Sequence, residues 1–321
     1  MLLFVGTVHG QDRALDTRDA IRLKEAFALA ESVGDNIWEN WSATPFAVLL
    51  LTPEKDLLVG HPGPSADFVD EGVDDILGMN VYSRPRTQGW PSGMLATFPA
   101  VGGLSTVVVG QAEATGMNST RWVLTLLHEH FHQYQNGWSG YFSGVDKLDL
   151  SGGDETGMWM LNYAFPYDDP VVAAAVTSLR TAIQSSLKSG SGEVRDVSAT
   201  LQKIESLVSE KDFRYLSFQL WQEGVSRYTE QIVAGFAENN HESGDDFSAL
   251  EDAITYRRAL SELTKVRQSE MMSLDLKEQK RVVFYALGAS LAMILDTVRP
   301  DWRSDYFEKP FDLVSLVTNE N

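Results

Sequence analysis

The sequence contains no cysteine among its 321 residues. A disulfide framework is therefore excluded, and so is any metal site that depends on thiolate ligands. Metal binding by this chain has to use imidazole or carboxylate groups. The absence of cysteine is as compatible with an exported protein as with a cytosolic one, so it leaves the compartment open.

Positive charge is scarce, with 26 Lys and Arg residues against 45 Asp and Glu, a formal net charge of −19. This balance argues against nucleic acid or an anionic membrane as a partner, because both would be repelled. We interpret the acidity as a contribution to solubility. The chain is 43% hydrophobic, enough for the core of one large domain or of two lobes around a cleft.

Long apolar runs are also missing: none after the N-terminus reaches the roughly 18 residues of a membrane span. We therefore predict no span. The N-terminal residues, MLLFVGTVHGQD, combine a short apolar run with small residues. They are either the remnant of a signal peptide that lacks its positive start, or an ordinary first strand. Localisation stays open between export, to the periplasm or medium, and the cytoplasm.

Residues 118–137, NSTRWVLTLLHEHFHQYQNG, have the pattern of a buried helix. Either Asn118 or Ser119 can cap its start. Asn136 and Gly137 favour a left-handed stop at its end. Apolar side chains recur at helical spacing and predict the side that faces the core: Trp122, Val123, Leu126 and Leu127.

This helix carries three of the six histidines of the chain, in the run HEHFH at 128–132. His128 and His132 lie one helical turn apart, so both imidazoles can bind one cation. Glu129 sits beside that face and can act as general base on a water molecule. His130 points to the other side of the helix. We predict a zinc site here in preference to a chance pair of buried histidines.

Strand patterns precede the helix and helical patterns follow it. We predict a helix over 16–33, a hairpin at Thr52–Lys55 between two strands, and strands near 80–83, 94–101 and 105–109. The strand at Ser105–Val109 either forms the edge of a cleft, to which an extended peptide could add, or lies inside a sheet. A loop-rich segment follows at 138–157. Helices are predicted over 170–189, 196–210, 212–238, 246–273 and 277–297, with a flexible connector at 188–192 and a short last helix.

This order of elements predicts an α+β fold. Residues 1–137 would form an N-terminal α+β lobe that ends in the H-E-x-x-H helix. Residues 138–321 would form a helical lobe that carries the third metal ligand. The two lobes would make one catalytic unit with the active-site cleft between them.

A catalytic zinc ion needs a third protein ligand from another element. The best candidate is Glu223, within a predicted helix. Gly224 follows it in mid-helix, where glycine costs about 1 kcal/mol relative to alanine. That cost is easier to explain if another helix or the metal approaches closely.

Residues 221–230, WQEGVSRYTE, resemble the E-G-x-[AS]-x-Y-x-E segment of gluzincin metallopeptidases. These include the aminopeptidase N family, glycyl aminopeptidases and bacterial collagenases. The resemblance implies that Glu223 is the third zinc ligand and that Glu230 orients a zinc-bound histidine. It also implies a thermolysin-like zincin core with a small mixed sheet.

Residues 284–289, FYALGA, resemble the Y-x-x-G helix of the same families. There the tyrosine stabilises the oxyanion of the tetrahedral intermediate, which implies this role for Tyr285. From its position on an apolar helix alone, Tyr285 would be interpreted as a core aromatic residue, and the other two motifs favour the catalytic role.

The resemblance covers three short motifs, and two departures accompany it. Glu223 follows His132 by 91 positions, more than in most gluzincins, so a helical region of about 138–211 is inserted. The glycine-methionine-glutamate-asparagine motif that anchors a substrate amino group in aminopeptidase N relatives is missing, and only Gly116-Met117-Asn118 lies nearby. Zinc hydrolysis is therefore better supported than aminopeptidase specificity.

The expected function is zinc-dependent hydrolysis of a peptide or protein substrate. Two alternatives stay open: a catalytically weak metal-binding or peptide-binding protein on a peptidase scaffold, and a zinc hydrolase of a non-peptide substrate. The sequence makes no prediction of the oligomeric state.

Overall fold

The computed structural model describes residues 13–189 and 194–318. The N-terminal stretch considered as a signal remnant, and the last three residues of the predicted connector, lie outside these ranges. The strands are β1 (Val48–Leu51), β2 (Lys55–Val59), β3 (Val69–Val73), β4 (Asn80–Pro85), β5 (Leu95–Val101) and β6 (Leu104–Gly110).

Helices α1 to α7 are α1 (Thr17–Val33), α2 (Ala112–Thr115), α3 (Ser119–Gly137), α4 (Tyr141–Lys147), α5 (Trp159–Asn162), α6 (Pro170–Ser189) and α7 (Arg195–Leu207). Helices α8 to α14 are α8 (Glu210–Gln219), α9 (Val225–Asn240), α10 (Asp245–Ser248), α11 (Tyr256–Met272), α12 (Leu276–Gln279), α13 (Val283–Val298) and α14 (Leu313–Thr318). A π-helical turn, Leu220–Gly224, joins α8 to α9. Short 3-10 turns lie at Trp41–Ala43 and Lys280–Val282.

Within the described chain the strands form one six-stranded mixed sheet in the order β3-β4-β2-β1-β6-β5. β1 and β6 are parallel, and the other neighbours are antiparallel. The α+β class and the hairpin between β1 and β2 are confirmed. β6, the strand predicted near Ser105, has partners on both sides and is an interior strand. β5 takes the edge of the sheet next to it, and β3 is an edge strand that the sequence patterns did not indicate.

The two faces of the sheet differ, because alternate side chains of a strand point to opposite sides. On the helix side, β1 and β6 contribute Val48, Leu50, Val107 and Val109 to the main core. On the far side, a smaller cluster is covered by aromatic side chains rather than by a helix: Leu49, Leu51, Leu58, Val101 and Val108, under Phe68, Tyr82, Trp90 and Phe98.

Helix α3 is the central element. It packs on β5 and β6 on one side and on α9 on the other, with α1 alongside. The predicted cap is confirmed, since the Asn118 side chain accepts a hydrogen bond from the Arg121 amide at 2.9 Å. Gln133 donates to the carbonyls of Ala47 and Ser105 at 2.9 and 2.8 Å and so fixes α3 to the sheet. These contacts hold α3 in one position along the sheet.

The end of α3 differs from the prediction. Gly137 does not adopt a left-handed conformation and remains the last helical residue. Trp138 follows with extended backbone angles and packs near Phe307 and Phe311, at ring-centroid distances of 6.2 and 6.1 Å. The tertiary packing of Trp138, rather than a glycine turn, directs the chain away from α3.

Beyond α3 the described residues contain helices and no strand, as predicted. The loop-rich segment 138–157 nevertheless includes α4. The predicted helix over 246–273 is wrong as a single element and consists of α10 and α11. Asp252 lies in the interruption, where its carboxylate accepts hydrogen bonds from the Ser119 amide and hydroxyl at 3.0 and 2.7 Å. Thr255 then caps α11.

Residues from both predicted lobes belong to one hydrophobic cluster that extends from Leu15 to Val317. The division near residue 137 therefore marks a change in secondary structure within a shared core.

Among the described residues, one helical stretch, Leu276–Val298, is long and apolar enough by composition to cross a membrane. The expectation that no run reaches this length is therefore wrong. However, 61% of its apolar window is buried inside the protein. A core helix passes the same test, and α13 packs against α9 and the π turn.

A pair of glycines lets α13 approach the π turn closely. A Cβ added to Gly224 would lie 2.5 Å from the Gly288 Cα, and one added to Gly288 would lie 2.6 Å from the Leu220 carbonyl oxygen. Close approach of another helix thus explains the mid-helix Gly224, one of the two explanations that the sequence suggested.

We predict that Gly288→Ala lowers the free energy of unfolding of the metal-free protein by about 1–3 kcal/mol, because the added methyl group overpacks a backbone contact. Gly235→Ala on α9 is the matched control. Its Cβ would meet only Leu260 Cδ2, at 3.7 Å, so we expect no loss and up to about 1 kcal/mol of gain from helix propensity. Urea denaturation measures both values. Equal stability of the two variants would contradict the proposed contact.

Candidate metal centre

His128 and His132 lie on consecutive turns of α3, with ring centroids 5.0 Å apart. Both side chains are buried between α3 and α9. The helical spacing therefore brings both imidazoles to the same place, as predicted from the sequence.

Glu223 reaches these histidines from the π turn. Its Oε2 atom lies 3.6 Å from His132 Nε2, and one ligand atom from each of the three residues falls within 4.8 Å of the others. The carboxylate is only 19% exposed. The predicted convergence of Glu223 with the histidine pair is thus present in the structure.

The π turn leaves irregular backbone carbonyls that need partners. The hydroxyls of Tyr306 and Ser226 donate to the carbonyls of Trp221 and Gln222 at 2.8 and 2.7 Å, and Gln135 adds to both. Its buried amide nitrogen donates to the carbonyl of Gln222 at 3.0 Å and lies 3.4 Å from that of Trp221. The same nitrogen lies 2.7 Å from the hydroxyl of Tyr306. A π turn is a common device at functional sites, and here the neighbouring helix α3 stabilises it.

Gln135 also orients His132. Its Oε1 atom lies 2.7 Å from His132 Nδ1. An amide oxygen can only accept, so this shorter contact assigns a proton to Nδ1 and leaves Nε2 facing Glu223. The Gln222 amide nitrogen lies 3.1 Å from the same Nδ1 atom. The Ser226 hydroxyl lies 3.3 Å from the same Nδ1 atom. One side chain therefore holds both the second histidine and the backbone that carries the third ligand.

Glu129, the predicted general base, is buried beside the histidines. Its Oε2 accepts a hydrogen bond from the Thr97 hydroxyl at 2.8 Å, and the same hydroxyl lies 3.0 Å from the Glu129 carbonyl oxygen. Thr97 belongs to the edge strand β5, so the base lies where α3 meets this edge. Burial raises the pKa of Glu129.

The charges of the three candidate ligands are strongly coupled. Burial disfavours the imidazolium of His132, but its polar contact with Glu223 and the charge of that carboxylate outweigh burial and raise its pKa to about 9. Burial favours protonation of Glu223, yet the contact with His132 prevails and lowers its pKa to about 2. Burial, and then the charge of His132, lower the pKa of His128 to about 3. The metal-free site therefore contains an imidazolium–carboxylate pair and a neutral imidazole.

Tyr285, on α13, lies at the same site. Burial and then the charge of Glu223 raise its pKa well above the ordinary value. Its hydroxyl accepts a hydrogen bond from Arg281 Nη1, and Arg281 Nη1 lies 3.8 Å from Glu223 Oε1. Tyr285 is thus a protonated phenol next to the candidate ligands, and not a residue of the remote core.

Glu230 has other partners than the resemblance implied. Its buried carboxylate lies 3.4 Å from Arg121 Nη2 and 3.5 Å from Arg227 Nη1. For His132, the polar contact that fixes the ring is made by Gln135. Glu230 thus balances the charge of two arginines, and the polar contact to His132 comes from α3 itself. A role of Glu230 toward a zinc-bound histidine stays a prediction.

His130 points away from the site, as predicted. Its ring stacks on Phe46 at 4.2 Å and on Trp41 at 5.4 Å, and its Nδ1 contacts Gln133 Oε1 at 2.9 Å. The Gly116-Met117-Asn118 segment lies between α2 and α3, where Asn118 serves as the helix cap.

Sequence reasoning missed three residues of the site. Gln135 and Arg281 had a usable signal: each is one turn from a predicted site residue, at three and four positions from His132 and Tyr285. Thr97 had none, because only the fold brings β5 to Glu129.

The residues fit a zinc ion. In a tetrahedral site with ligand distances of about 2.1 Å, donor atoms are about 3.4 Å apart, close to the 3.6 Å between His132 and Glu223. Two imidazoles and a carboxylate favour zinc over magnesium or calcium. All three donor atoms lie within 4.8 Å of one another.

We predict that zinc affinity rises about tenfold per pH unit from about pH 5.5 to 8.5, with one proton released per zinc ion. His132 carries this proton, since its pKa is about 9, whereas His128 and Glu223, at about 3 and 2, have already lost theirs. Above pH 9 this dependence ends. Chelator competition at several pH values measures it.

Glu223→Gln is the control for this prediction. Without the carboxylate charge the pKa of His132 falls. The zinc affinity that remains in this variant should therefore stop rising with pH at a lower pH than in the parent. A parent protein whose zinc affinity levels off near pH 6.5 would contradict the imidazolium–carboxylate pair.

Comparison of the chain with models of known protein families, with curated proteins and with solved structures found no match.

Proposed function

We propose that this chain is a zinc-dependent hydrolase of peptide bonds, related in its core to the gluzincins and with a thermolysin-like zincin arrangement. The observation that carries the proposal is the meeting of Glu223 with His128 and His132, next to Glu129. Three ligands and an adjacent carboxylate are the minimum set for zinc-assisted hydrolysis. If the histidine pair were a coincidence, there would be no reason for a carboxylate from 91 positions further along the chain to lie beside it.

His128, His132 and Glu223 would hold the ion. When bound, zinc lowers the pKa of a coordinated water toward about 7 and polarises the carbonyl that is attacked. Glu129 accepts the proton of the attacking water and passes it to the leaving amine. Its environment suits both steps, because burial raises its pKa toward the working range while the Thr97 hydroxyl fixes one oxygen.

Tyr285 donates its phenolic hydrogen to the oxyanion. The Arg281 guanidinium donates to the phenol oxygen. The phenol hydrogen is directed at Glu223 in the metal-free site and would turn toward the reacting carbonyl. A donor held in place before the reaction stabilises developing charge at little reorganisation cost.

The edge strand β5 supports a peptide substrate. Its outer backbone groups are not paired with another strand of the described sheet, and Thr97 on this strand contacts Glu129. An extended peptide can add to such an edge by main-chain hydrogen bonds. This placement would bring the peptide carbonyl alongside the base.

We predict that Glu129→Gln retains stoichiometric zinc and lowers kcat/KM by at least about 10²–10⁴-fold, because the proton transfer loses its acceptor. Metal content is measured by mass spectrometry, and activity on a mixed peptide library with and without a chelator. Glu262→Gln, which changes a partly exposed acid on α11, is the control and should behave as the parent. A Glu129→Gln protein as active as the parent would refute the assignment of the base.

Thr97 provides a finer test. Thr97→Val removes the hydroxyl but preserves the side-chain shape, so kcat should fall about 10-fold or more while zinc affinity stays unchanged. Thr97→Ser keeps the hydroxyl and should restore most of the rate. Equal rates for the valine and serine variants would show that the contact with Glu129 has no role in catalysis.

A further inference from the structure

Three arginines lie on or next to the helices that carry the candidate metal centre: Arg121 on α3, Arg227 on α9 and Arg281 just before α13. The first two are paired with acids. Arg227 contacts Glu270 at 2.9 Å and Glu230 at 3.5 Å. Arg121 contacts Glu230 at 3.4 Å. Their charges are balanced within the protein.

Arg281 differs from both. Its nearest carboxylate, that of Glu223, is 3.8 Å away, which is too far for a hydrogen bond. Among residues 13–189 and 194–318 its hydrogen-bond partner is the Tyr285 hydroxyl. A guanidinium has five N–H donors in a planar fork that matches a carboxylate. Most of these donors are therefore available, and the side chain is 22% exposed.

Among the described residues, Glu223 is the one acid whose carboxylate lies within 4.0 Å of Arg281, and its charge would be shared with the metal. As a zinc ligand, Glu223 would share its negative charge with the cation. Arg281 then remains a partly buried positive charge without a balancing anion, in a chain that has 45 acidic and 26 basic residues. A buried charge without a partner is costly, which favours an external anion at this position.

Resting on the proposed function, we infer that Arg281 binds a carboxylate of the substrate. An extended peptide advances about 3.3–3.6 Å per residue, so a guanidinium 3.8 Å from a ligand carboxylate is within reach of a group one or two residues beyond the bond that is cleaved. Arg281 thus selects peptides that carry a carboxylate at that distance. The carboxylate is either the C-terminus of the peptide or the side chain of an aspartate or glutamate.

Three N-acetylated peptide series distinguish these sources: a free C-terminus one or two residues beyond the bond, the same peptides as C-terminal amides, and the amides with Asp or Glu at those positions. We expect kcat/KM of the parent to favour one carboxylate series over the neutral amides by about 10–100-fold, as for a hydrogen-bonded charge pair. A preference for the first series identifies the C-terminus, and a preference for the third identifies an acidic side chain.

Variants separate two possible roles of Arg281: binding of the substrate carboxylate, and positioning of the Tyr285 hydroxyl. Arg281→Gln should abolish the preference, mainly through a higher KM for the carboxylate series, and Arg281→Lys should restore part of it. Tyr285→Phe should lower kcat for all series alike and preserve their ratio. Arg258→Gln, which removes an exposed charge from α11, should leave the ratio unchanged.

Binding provides a measurement that does not depend on turnover. Acetyl-trialanine and its amide are titrated into Glu129→Gln protein, with and without Zn²⁺, and into the Arg281→Gln double variant. The inference is supported if the acid binds more tightly than the amide and this difference disappears in the Arg281→Gln double variant. This holds even if the parent hydrolyses no peptide, and in that case only the proposed function fails. Equal binding and cleavage of acid and amide forms, or a preference that survives Arg281→Gln, would overturn it.

Discussion

The contact between the C-terminal half of α3 and the π turn at Leu220–Gly224 is the constraint on which the candidate site depends. It brings together two stretches that are remote in sequence and buries polar groups on both. Burying such groups without partners would cost several kcal/mol. Gln135 prevents this cost, because its amide satisfies the carbonyls of the π turn while its oxygen accepts from His132. The same bonds that make the contact stable also aim two of the three ligands.

The π turn itself depends on packing from the other side. Glycines at 224 and 288 allow α13 to lie almost backbone to backbone against the turn. This approach brings two side chains to the candidate ligands. Tyr285 lies less than one turn before Gly288 on α13, and Arg281 lies in the 3-10 turn that precedes α13. The molecule therefore stacks in four successive layers: the sheet, α3, the π turn and α13. The site lies where α3 and the π turn meet the edge strand β5.

Much of this arrangement could be predicted from local sequence. The cap of α3, its buried face and the convergence of two imidazoles follow from helical periodicity, and the hairpin at Thr52–Lys55 follows from turn composition. Glu223 was identified because a short motif surrounds it. Local patterns did not predict the π turn: Gly224 indicated a close approach, but nothing in the five residues indicates a change in the helical hydrogen-bond pattern. Nor did they predict the break at Asp252, whose carboxylate is captured by Ser119 from 133 positions earlier, or the route of Trp138, which is set by aromatic packing.

Without a metal ion, the proton shared between His132 and Glu223 has a structural consequence. Three ligands that faced one another with no cation would repel or remain unpaired, whereas an imidazolium and a carboxylate attract across the same gap. The raised pKa of His132 and the lowered pKa of Glu223 express this attraction. The proton therefore lets the imidazole and the carboxylate face one another across this gap without a cation. Zinc would then enter a site whose ligands already lie close together, in exchange for one proton.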